Sequence, residues 1–158
     1  MYKSILVPVD GSEYAQKALN VACHLADSSH VVIYVLNVPE LPPATDPLGI
    51  AVGASSLDVS PEEVEVAGEK LLEHVQAAEQ SGHNLIERIK SAIGLDIEMK
   101  SIVRMGQPAE VIIEEANSLG VEAIVMGSRG LSNLKSLAIG SVSHKVMHTA
   151  DCTVIIVH

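Results

Sequence analysis

Five short apolar runs occur along the chain, and segments with helical periodicity separate them. The runs cover residues 3–9, 31–38, 96–104, 121–126 and 153–157. Four of them are almost continuously apolar, which is typical of short strands buried on both faces of a parallel sheet. The run 96–104 alternates between apolar and polar residues instead, and this pattern predicts a partly solvated edge strand.

The first two helical segments begin at capping residues. Ser12 is a suitable N-cap for a helix over 13–27, whose small apolar residues fall on one stripe. A second helix begins at the capping box formed by Ser60 and Glu63, with Pro61 in its first turn.

This second helix is predicted to be long. It can run as far as Ile93, and its apolar positions, Leu71 and Ile89 among them, predict one buried stripe. The pair Ser81-Gly82 marks a point where the helix can bend.

Strands and helices alternate along the whole sequence. Helices over 109–118, ended by Gly120, and over 142–148 complete the pattern. This order predicts an α/β fold in a single domain, 1–158, with a doubly wound parallel sheet and helices on both faces. Residues 39–60, rich in Pro and Gly, predict a long flexible loop, for which a functional lid and a disordered segment are both open.

The composition limits the class of partner. Only 2% of residues are aromatic against 47% apolar, so the core must be aliphatic. Twenty acidic residues against 10 basic ones give a formal charge of −10, which argues against nucleic acid as a partner. A polyanionic ligand would need local backbone donors or a metal ion to offset this charge.

The sequence also predicts a location. No run of about 18 apolar residues is present, so we expect neither a membrane span nor a signal peptide. Cys23 and Cys152 do not form a disulfide framework, and buried thiols are the simplest interpretation of both. The expected location is therefore the cytoplasm.

The stretch 125–143 carries the main candidate chemistry. Gly127 and Gly130 follow the fourth predicted strand, and after nine more residues Gly140-Ser141 and then Ser143 open a helix. A strand, a glycine-rich turn and a helix start present backbone N–H groups to a phosphate, and glycines allow close approach and positive φ. The pattern predicts a nucleotide site, with a plain connecting loop as the alternative.

Asp10 follows the first strand directly. In an open parallel sheet, ligands bind beyond the carboxyl ends of the strands at the point where the winding reverses. If strands one and four are neighbours, the Asp10 carboxylate faces the glycine-rich loop, where it could accept from a ribose hydroxyl or hold a divalent ion. The alternative is that Asp10 only caps the turn that follows it.

In these residues, the chain resembles the universal stress protein family, and specifically its ATP-binding branch. That branch carries G-x2-G-x9-G-(S/T), matched here by Gly127, Gly130, Gly140 and Ser141. The resemblance covers nearly the whole chain, and it implies the sheet order 3-2-1-4-5, in which strands one and four are neighbours. The family usually has His at the position of Asn37 and Pro at that of Thr153, and neither position lies in the phosphate loop.

The resemblance also implies ligand contacts by position. These cofactor contacts are Pro8, Val9, Asp10, Val38, Met126, Gly127, Arg129, Gly130, Gly140, Ser141, Val142 and Ser143. Val9 and Val38 would meet adenine, largely through backbone groups, and Asp10 would hold the ribose side or a Mg²⁺ or Mn²⁺ ion that accompanies ATP. Residues from Gly130 onward would cradle the phosphates.

The expected function is binding rather than catalysis. A P-loop Gly-Lys-Ser/Thr is missing, Lys135 is more plausibly a surface side chain, and we can name no general base. The resemblance implies a regulatory stress-response protein that switches an unknown protein partner with nucleotide state, with slow or absent hydrolysis. The alternatives are a slow ATP hydrolase and an interaction module for AMP or a cyclic adenine nucleotide.

Two further features concern assembly and metals. The last strand, Thr153 to Val157, is aliphatic and should lie at an edge, which favours a symmetric dimer through this strand, as the resemblance also implies.

His144 and His148 lie at i, i+4 on a helix, a spacing that can share a metal ion. Because no third ligand of suitable spacing is evident, an ordinary surface pair is the favoured interpretation.

Overall fold

In the computed structural model, which describes residues 2–26, 31–39, 61–93, 97–131 and 139–158, a five-stranded parallel sheet forms the centre of the fold. The strands are β1 (Ser4–Pro8), β2 (Val32–Asn37), β3 (Glu98–Val103), β4 (Ala123–Gly127) and β5 (Thr153–Val157). Their order is β3-β2-β1-β4-β5, and every pairing is parallel. The predicted fold class and strand order are confirmed, and β3 is the predicted edge strand.

Helices cover both faces of this sheet. They are α1 (Glu13–Leu25), α2 (Pro61–Ile93), α3 (Pro108–Leu119) and α4 (Ser141–Thr149). α1 and the second half of α2 share one aliphatic core with the sheet, whereas α3 and α4 share the other. The sheet is therefore doubly wound.

Local signals determine where the helices begin and end. The Ser12 hydroxyl accepts from the Ala15 N–H at 3.2 Å and caps α1, as predicted. Gly120 follows α3 with φ of 59°, a left-handed conformation that glycine adopts without steric cost. Ser60 and its capping box lie outside the described residues, as does the predicted loop 39–60 apart from Pro39.

Among the side chains that the structure describes, α2 packs on the sheet through its second half, where Ile86 and Ile89 are buried. Leu71, which we predicted to be part of the buried stripe, is 40% exposed, and Leu72 is 57% exposed. The prediction for Leu71 is wrong because a 33-residue helix is about 50 Å long, whereas a six-residue strand spans about 20 Å. The first half of α2 therefore extends past the sheet.

Both cysteines are reduced and lie away from the glycine-rich loop. Cys23 is buried in α1 and Cys152 is half-buried before β5. Burial raises the pKa of both thiols, which keeps them protonated and weakly nucleophilic at neutral pH.

Among the described residues, no helix is long and apolar enough to cross a membrane.

Candidate functional site

A pocket of about 400 Å³ lies at the carboxyl ends of β1 and β4, where the winding of the sheet reverses. It is lined by all of the predicted contacts, namely Pro8, Val9, Asp10, Val38, Met126, Gly127, Arg129, Gly130, Gly140, Ser141, Val142 and Ser143. The pocket wall also includes Ala15, Leu36, Asn37, Pro39, Pro108, Ile112 and Leu131, which we did not predict. The structure brings the predicted residues together, and their roles towards a ligand stay predictions.

Asp10 bridges the end of β1 and the glycine-rich loop. Its Oδ1 accepts from the Ser12 N–H at 2.9 Å, so it does cap the turn that follows it. Its Oδ2 accepts from the Leu131 N–H at 3.0 Å, so it also faces the loop across the switch point. The two interpretations of Asp10 are compatible, since each carboxylate oxygen has its own donor.

Gly127 and Gly130 are required by contacts within the chain itself. A Cβ on Gly127 would lie 2.7 Å from Tyr14 Cβ on α1, and a Cβ on Gly130 would lie 2.6 Å from Asp10 Oδ2. Neither glycine has a positive φ, so the conformational freedom of glycine is not what these two positions require. The absence of a side chain lets the backbone at Gly127 approach helix α1, and it lets the backbone at Gly130 approach the Asp10 carboxylate.

Gly140 differs from the other two glycines of the motif. Its φ of −71° is open to any residue, and among the described residues an added Cβ would meet only Ser128 O at 3.4 Å and Arg129 Cα at 3.6 Å. These are ordinary van der Waals distances. The fold therefore does not demand a glycine here, although the residue lines the pocket.

The N-terminus of α4 opens into the pocket without a side-chain cap. Gly140 is the N-cap, and the first intrahelical bond runs from His144 N–H to Gly140 O at 2.9 Å. The N–H groups of Ser141, Val142 and Ser143 have no acceptor among the described residues. Three backbone donors with the positive end of the helix dipole thus line the pocket.

The hydroxyl of Ser143 is already occupied. It is buried and donates to Gly127 O at 2.8 Å, which ties α4 to the end of β4. Because this proton is committed to the Gly127 carbonyl, the hydroxyl of Ser143 is not free to donate to a ligand in this structure. Its backbone N–H is the group that stays available.

Backbone hydrogen bonds hold the loop to its neighbours. Ser128 N–H donates to Val157 O at 2.7 Å, and Gly140 N–H donates to Ser128 O at 2.7 Å. The start of the loop is therefore bonded to the end of β5, and its far end is bonded back to its start. A change in the loop has a direct path to the edge strand.

The opposite side of the pocket is apolar and is supported by Asn37. The Asn37 amide is buried and donates from Nδ2 to Val9 O at 2.7 Å, while Val9 N–H donates to Leu36 O at 2.7 Å. The backbone of Val38 has no hydrogen-bond partner among the described residues. Sequence reasoning missed Asn37, although a polar residue at the end of an apolar run was a usable signal.

Charged side chains are few at the pocket. Asp10 and Arg129 are its charged lining residues, and Arg129 makes no ion pair within the part of the chain that the structure describes. Lys135 lies outside that part. Within the described ranges no three His, Cys, Asp or Glu residues converge as metal ligands, so a cation here would depend on oxygen atoms of a ligand as well as on Asp10.

A doubly wound parallel sheet with a pocket at its switch point defines an α/β protein of the class whose ligand sites lie beyond the carboxyl ends of the strands. The chain belongs to the universal stress protein family, whose family model matches residues 1–158. The sequence-based assignment to this family is confirmed.

Named relatives match over nearly their full length. The chain is 36% identical to "Universal stress protein YxiE" of Bacillus subtilis, covering 99% of both chains. It is 32% identical to "Universal stress protein MJ0577" of Methanocaldococcus jannaschii, covering 99% of this chain and 95% of that one. A solved structure of MJ0577 has a TM-score of 0.78 at 28% identity, with 99% and 96% of the two chains covered.

Two more distant structures share the fold. A universal stress protein in complex with cAMP has a TM-score of 0.58 at 21% identity, covering 99% of this chain and 96% of that one. One from Archaeoglobus fulgidus in complex with dAMP has a TM-score of 0.54 at 22% identity, with 99% and 98% covered.

Proposed function

We propose that this chain binds ATP together with Mg²⁺ or Mn²⁺ in the pocket at the switch point, and that nucleotide state controls its association with a protein partner. The observation that carries the proposal is the uncapped N-terminus of α4, whose three free N–H groups line the same pocket as Asp10. A helix N-terminus of this kind is suited to a phosphate group.

The phosphate side combines donors with a cation. The N–H groups of Ser141, Val142 and Ser143 would contact phosphate oxygens, and Arg129 would add positive charge from the loop. This local charge matters because the whole chain carries −10 and repels a polyanion. Gly140 supports the same proposal. Its described neighbours leave room for a methyl group, so packing against them does not explain why this position is a glycine.

The metal would lie between Asp10 and the phosphates. Mg²⁺ commonly takes one or two carboxylates, phosphate oxygens and waters, so a single carboxylate is a suitable protein contribution. Asp10 Oδ2 already points to the loop, where it accepts from Leu131 N–H at 3.0 Å. Binding of the metal would exchange this backbone donor for the ion.

The base would lie on the apolar side. Val9 has its N–H bonded to Leu36 O and its carbonyl bonded to Asn37, so its backbone offers only a remaining carbonyl lone pair. The N–H and carbonyl of Val38 are open and can read the edge of adenine. We therefore assign base recognition mainly to Val38, with Asn37 as a positioning residue.

Turnover is not expected to be efficient. Neither the described pocket wall nor the sequence offers a P-loop lysine or a general base beside the phosphate donors. Binding without rapid hydrolysis suits a protein that reports nucleotide state. We also propose that the protein acts in the cytoplasm.

A homodimer through β5 would connect the pocket to a partner surface. Thr153 N–H donates to Glu122 O, and Val157 O accepts from Ser128 N–H, so residues 153, 155 and 157 face β4. The backbone groups of Val154 and Ile156 face the free edge, with which no strand pairs in the described part of the chain. The Ser128–Val157 bond would transmit a change in the loop to that edge.

A second candidate is an interaction module for AMP or a cyclic adenine nucleotide. It is favoured by the two structures of similar fold that are described as complexes with cAMP and dAMP. In those ligands a single phosphate would meet the N-terminus of α4, and no γ-phosphate would be needed.

A competition series separates the two candidates. The purified chain is stripped of nucleotide, loaded with a fluorescent adenine nucleotide, and challenged with ATP, ADP, AMP and cAMP with and without Mg²⁺. The proposal predicts that ATP with Mg²⁺ competes best. Preference for AMP or cAMP would reverse the ranking, and phosphate release that disappears in Asp10→Ala would indicate a hydrolase.

A further inference from the structure

The exposed face of α4 carries a pair of imidazoles outside the pocket. His144 and His148 are one helical turn apart, and their ring centroids are 4.4 Å apart with an interplanar angle of 84°. Their Nε2 atoms are 3.2 Å apart, and both side chains are exposed to solvent. The two rings therefore present the same nitrogen to one point on the surface.

The separation of these nitrogens matches that of two ligands on one metal ion. With Zn–N distances of about 2.0–2.1 Å and a tetrahedral angle, two nitrogen ligands lie about 3.3 Å apart, and a right angle reduces this to about 2.9 Å. The observed 3.2 Å falls between these values. The spacing of the two nitrogens therefore already suits chelation of one ion.

Without a metal, the contact can only be a hydrogen bond in which one Nε2 carries the proton and the other accepts it. With a cation, both Nε2 atoms act as ligands and each ring keeps its proton on Nδ1, where water can accept it because the rings are exposed. His24 and His74 differ, since each places Nδ1 at 2.7 Å from the carbonyl four residues earlier, and no second imidazole of the described residues contacts either ring.

The local charges do not oppose a cation. Lys145 lies between the two histidines in sequence, but its ammonium is paired with Glu110 on α3 at 2.9 Å. The net charge of −10 favours the approach of cations in general. The described residues include no third His, Cys, Asp or Glu at this point, so water would complete the coordination.

We propose that His144 and His148 form a two-imidazole site for a divalent cation of the Zn²⁺, Cu²⁺ and Ni²⁺ class. Imidazole nitrogen suits these ions, whereas Mg²⁺ prefers oxygen ligands, so the site is distinct from a Mg²⁺ ion held with a nucleotide. The inference stands independently of the proposed nucleotide site, because neither ring lines the pocket.

The test is a calorimetric titration of the nucleotide-free full chain with Zn²⁺, with Cu²⁺ electron paramagnetic resonance to count bound nitrogens. His144→Ala and His148→Ala each remove one ligand from an exposed helical position, where alanine preserves the helix. His74→Ala is the control for the loss of an isolated histidine. His148→Ala combined with Thr149→His keeps the number of histidines but turns the second ring by about 100° around the helix, which places it about 140° from His144.

The proposal predicts that the wild-type chain binds one Zn²⁺ more than either single variant, and that His74→Ala retains this site. The relocated histidine should fail to restore it, and the Cu²⁺ spectrum should lose its two-nitrogen signature. Equal Zn²⁺ binding by wild type and His148→Ala would overturn the proposal. So would full recovery in the relocated variant, because that would show binding by isolated imidazoles.

Discussion

At the scale of single residues, the three glycines of the motif have different physical roles. Gly127 makes room for Tyr14 on α1, and Gly130 makes room for the Asp10 carboxylate. At Gly140, the part of the chain that the structure describes leaves space for a side-chain methyl group. The motif therefore combines two glycines that packing requires, Gly127 and Gly130, with a third, Gly140, that is available to contact a ligand.

Substitution of two of these glycines should separate packing from binding. Gly127→Ala places a methyl group against Tyr14 Cβ at 2.7 Å and Tyr14 backbone C at 2.9 Å, so the free energy of unfolding should fall by about 1–3 kcal/mol. Gly140→Ala meets ordinary contacts and should change it by less than about 0.5 kcal/mol. Urea denaturation measures both, and equal stability of the two variants would contradict this assignment.

Asp10 should determine how strongly Mg²⁺ affects nucleotide binding. Asp10→Asn keeps the size of the side chain and an oxygen for the Ser12 N–H, but it removes the negative charge. We expect the gain in ATP affinity on adding Mg²⁺ to shrink roughly tenfold, because a neutral amide is a weak Mg²⁺ ligand.

The measurement is ATP affinity with Mg²⁺ and with a chelator, in both proteins. Binding in the chelator should change less, since the N-terminus of α4 is unaltered. An unchanged response to Mg²⁺ in Asp10→Asn would remove Asp10 from the metal site.

At the scale of elements, α2 contains two glycines in opposite environments. Gly82 is buried, and a Cβ there would lie 2.7 Å from Asn37 Oδ1 and 3.0 Å from Val103 Cγ1. Gly68 lies on the exposed first half of the same helix, where a Cβ would meet nothing within 4 Å. Gly82 thus allows the helix to approach the end of β2, which supports Asn37 beside the pocket.

The pair makes a matched test. Gly68→Ala should raise the free energy of unfolding by about 0.5–1 kcal/mol through helix propensity alone. Gly82→Ala gains the same propensity but crowds Asn37 and Val103, so it should lower stability by about 1–3 kcal/mol. Thermal or urea unfolding of both variants gives the result, and stabilisation by Gly82→Ala would show that the helix does not pack as described.

Some of these elements and contacts could be predicted from the sequence and others could not, and the difference has a physical cause. Strands β1, β2 and β4 were predictable because strands buried on both faces leave continuous apolar runs, and β3 was predictable from its alternating pattern. The meeting of Asp10 with the glycine-rich loop followed from the switch point. The bond from Asn37 to Val9 and the contact of Gly127 with Tyr14 depend on interatomic distances between elements, which no periodicity reports. The exposed Leu71 was missed because periodicity shows which face of a helix is apolar, but not how far the sheet beneath it extends.

At the scale of the whole molecule, the edge strand β5 is the surface most directly connected to the pocket. Its residues Val154 to Val157 are half-buried by side-chain packing, while its outer edge lies beyond the last pairing of the sheet. Since Ser128 N–H is bonded to Val157 O, the pocket and this edge share one hydrogen bond.

Ile156→Pro should disrupt the proposed dimer without disrupting the sheet. Proline removes an N–H that points to the free edge rather than to β4, and such positions tolerate proline. Ile156→Ala removes the same side chain but keeps the N–H, and it is the control. Light scattering after size-exclusion chromatography should show dimers for wild type and Ile156→Ala and monomers for Ile156→Pro. Dimeric Ile156→Pro would place the interface elsewhere.

Calorimetric titration with ATP and Mg²⁺ is the direct test of whether the pocket at the switch point binds ATP. The nucleotide-free chain is compared with Gly140→Ala and with Gly68→Ala, which adds a methyl group at a residue that does not line the pocket. We predict saturable binding of one ATP per chain, weakened about tenfold by Gly140→Ala and unchanged by Gly68→Ala. Absence of binding to the folded wild-type chain at about 1 mM ATP would contradict the account.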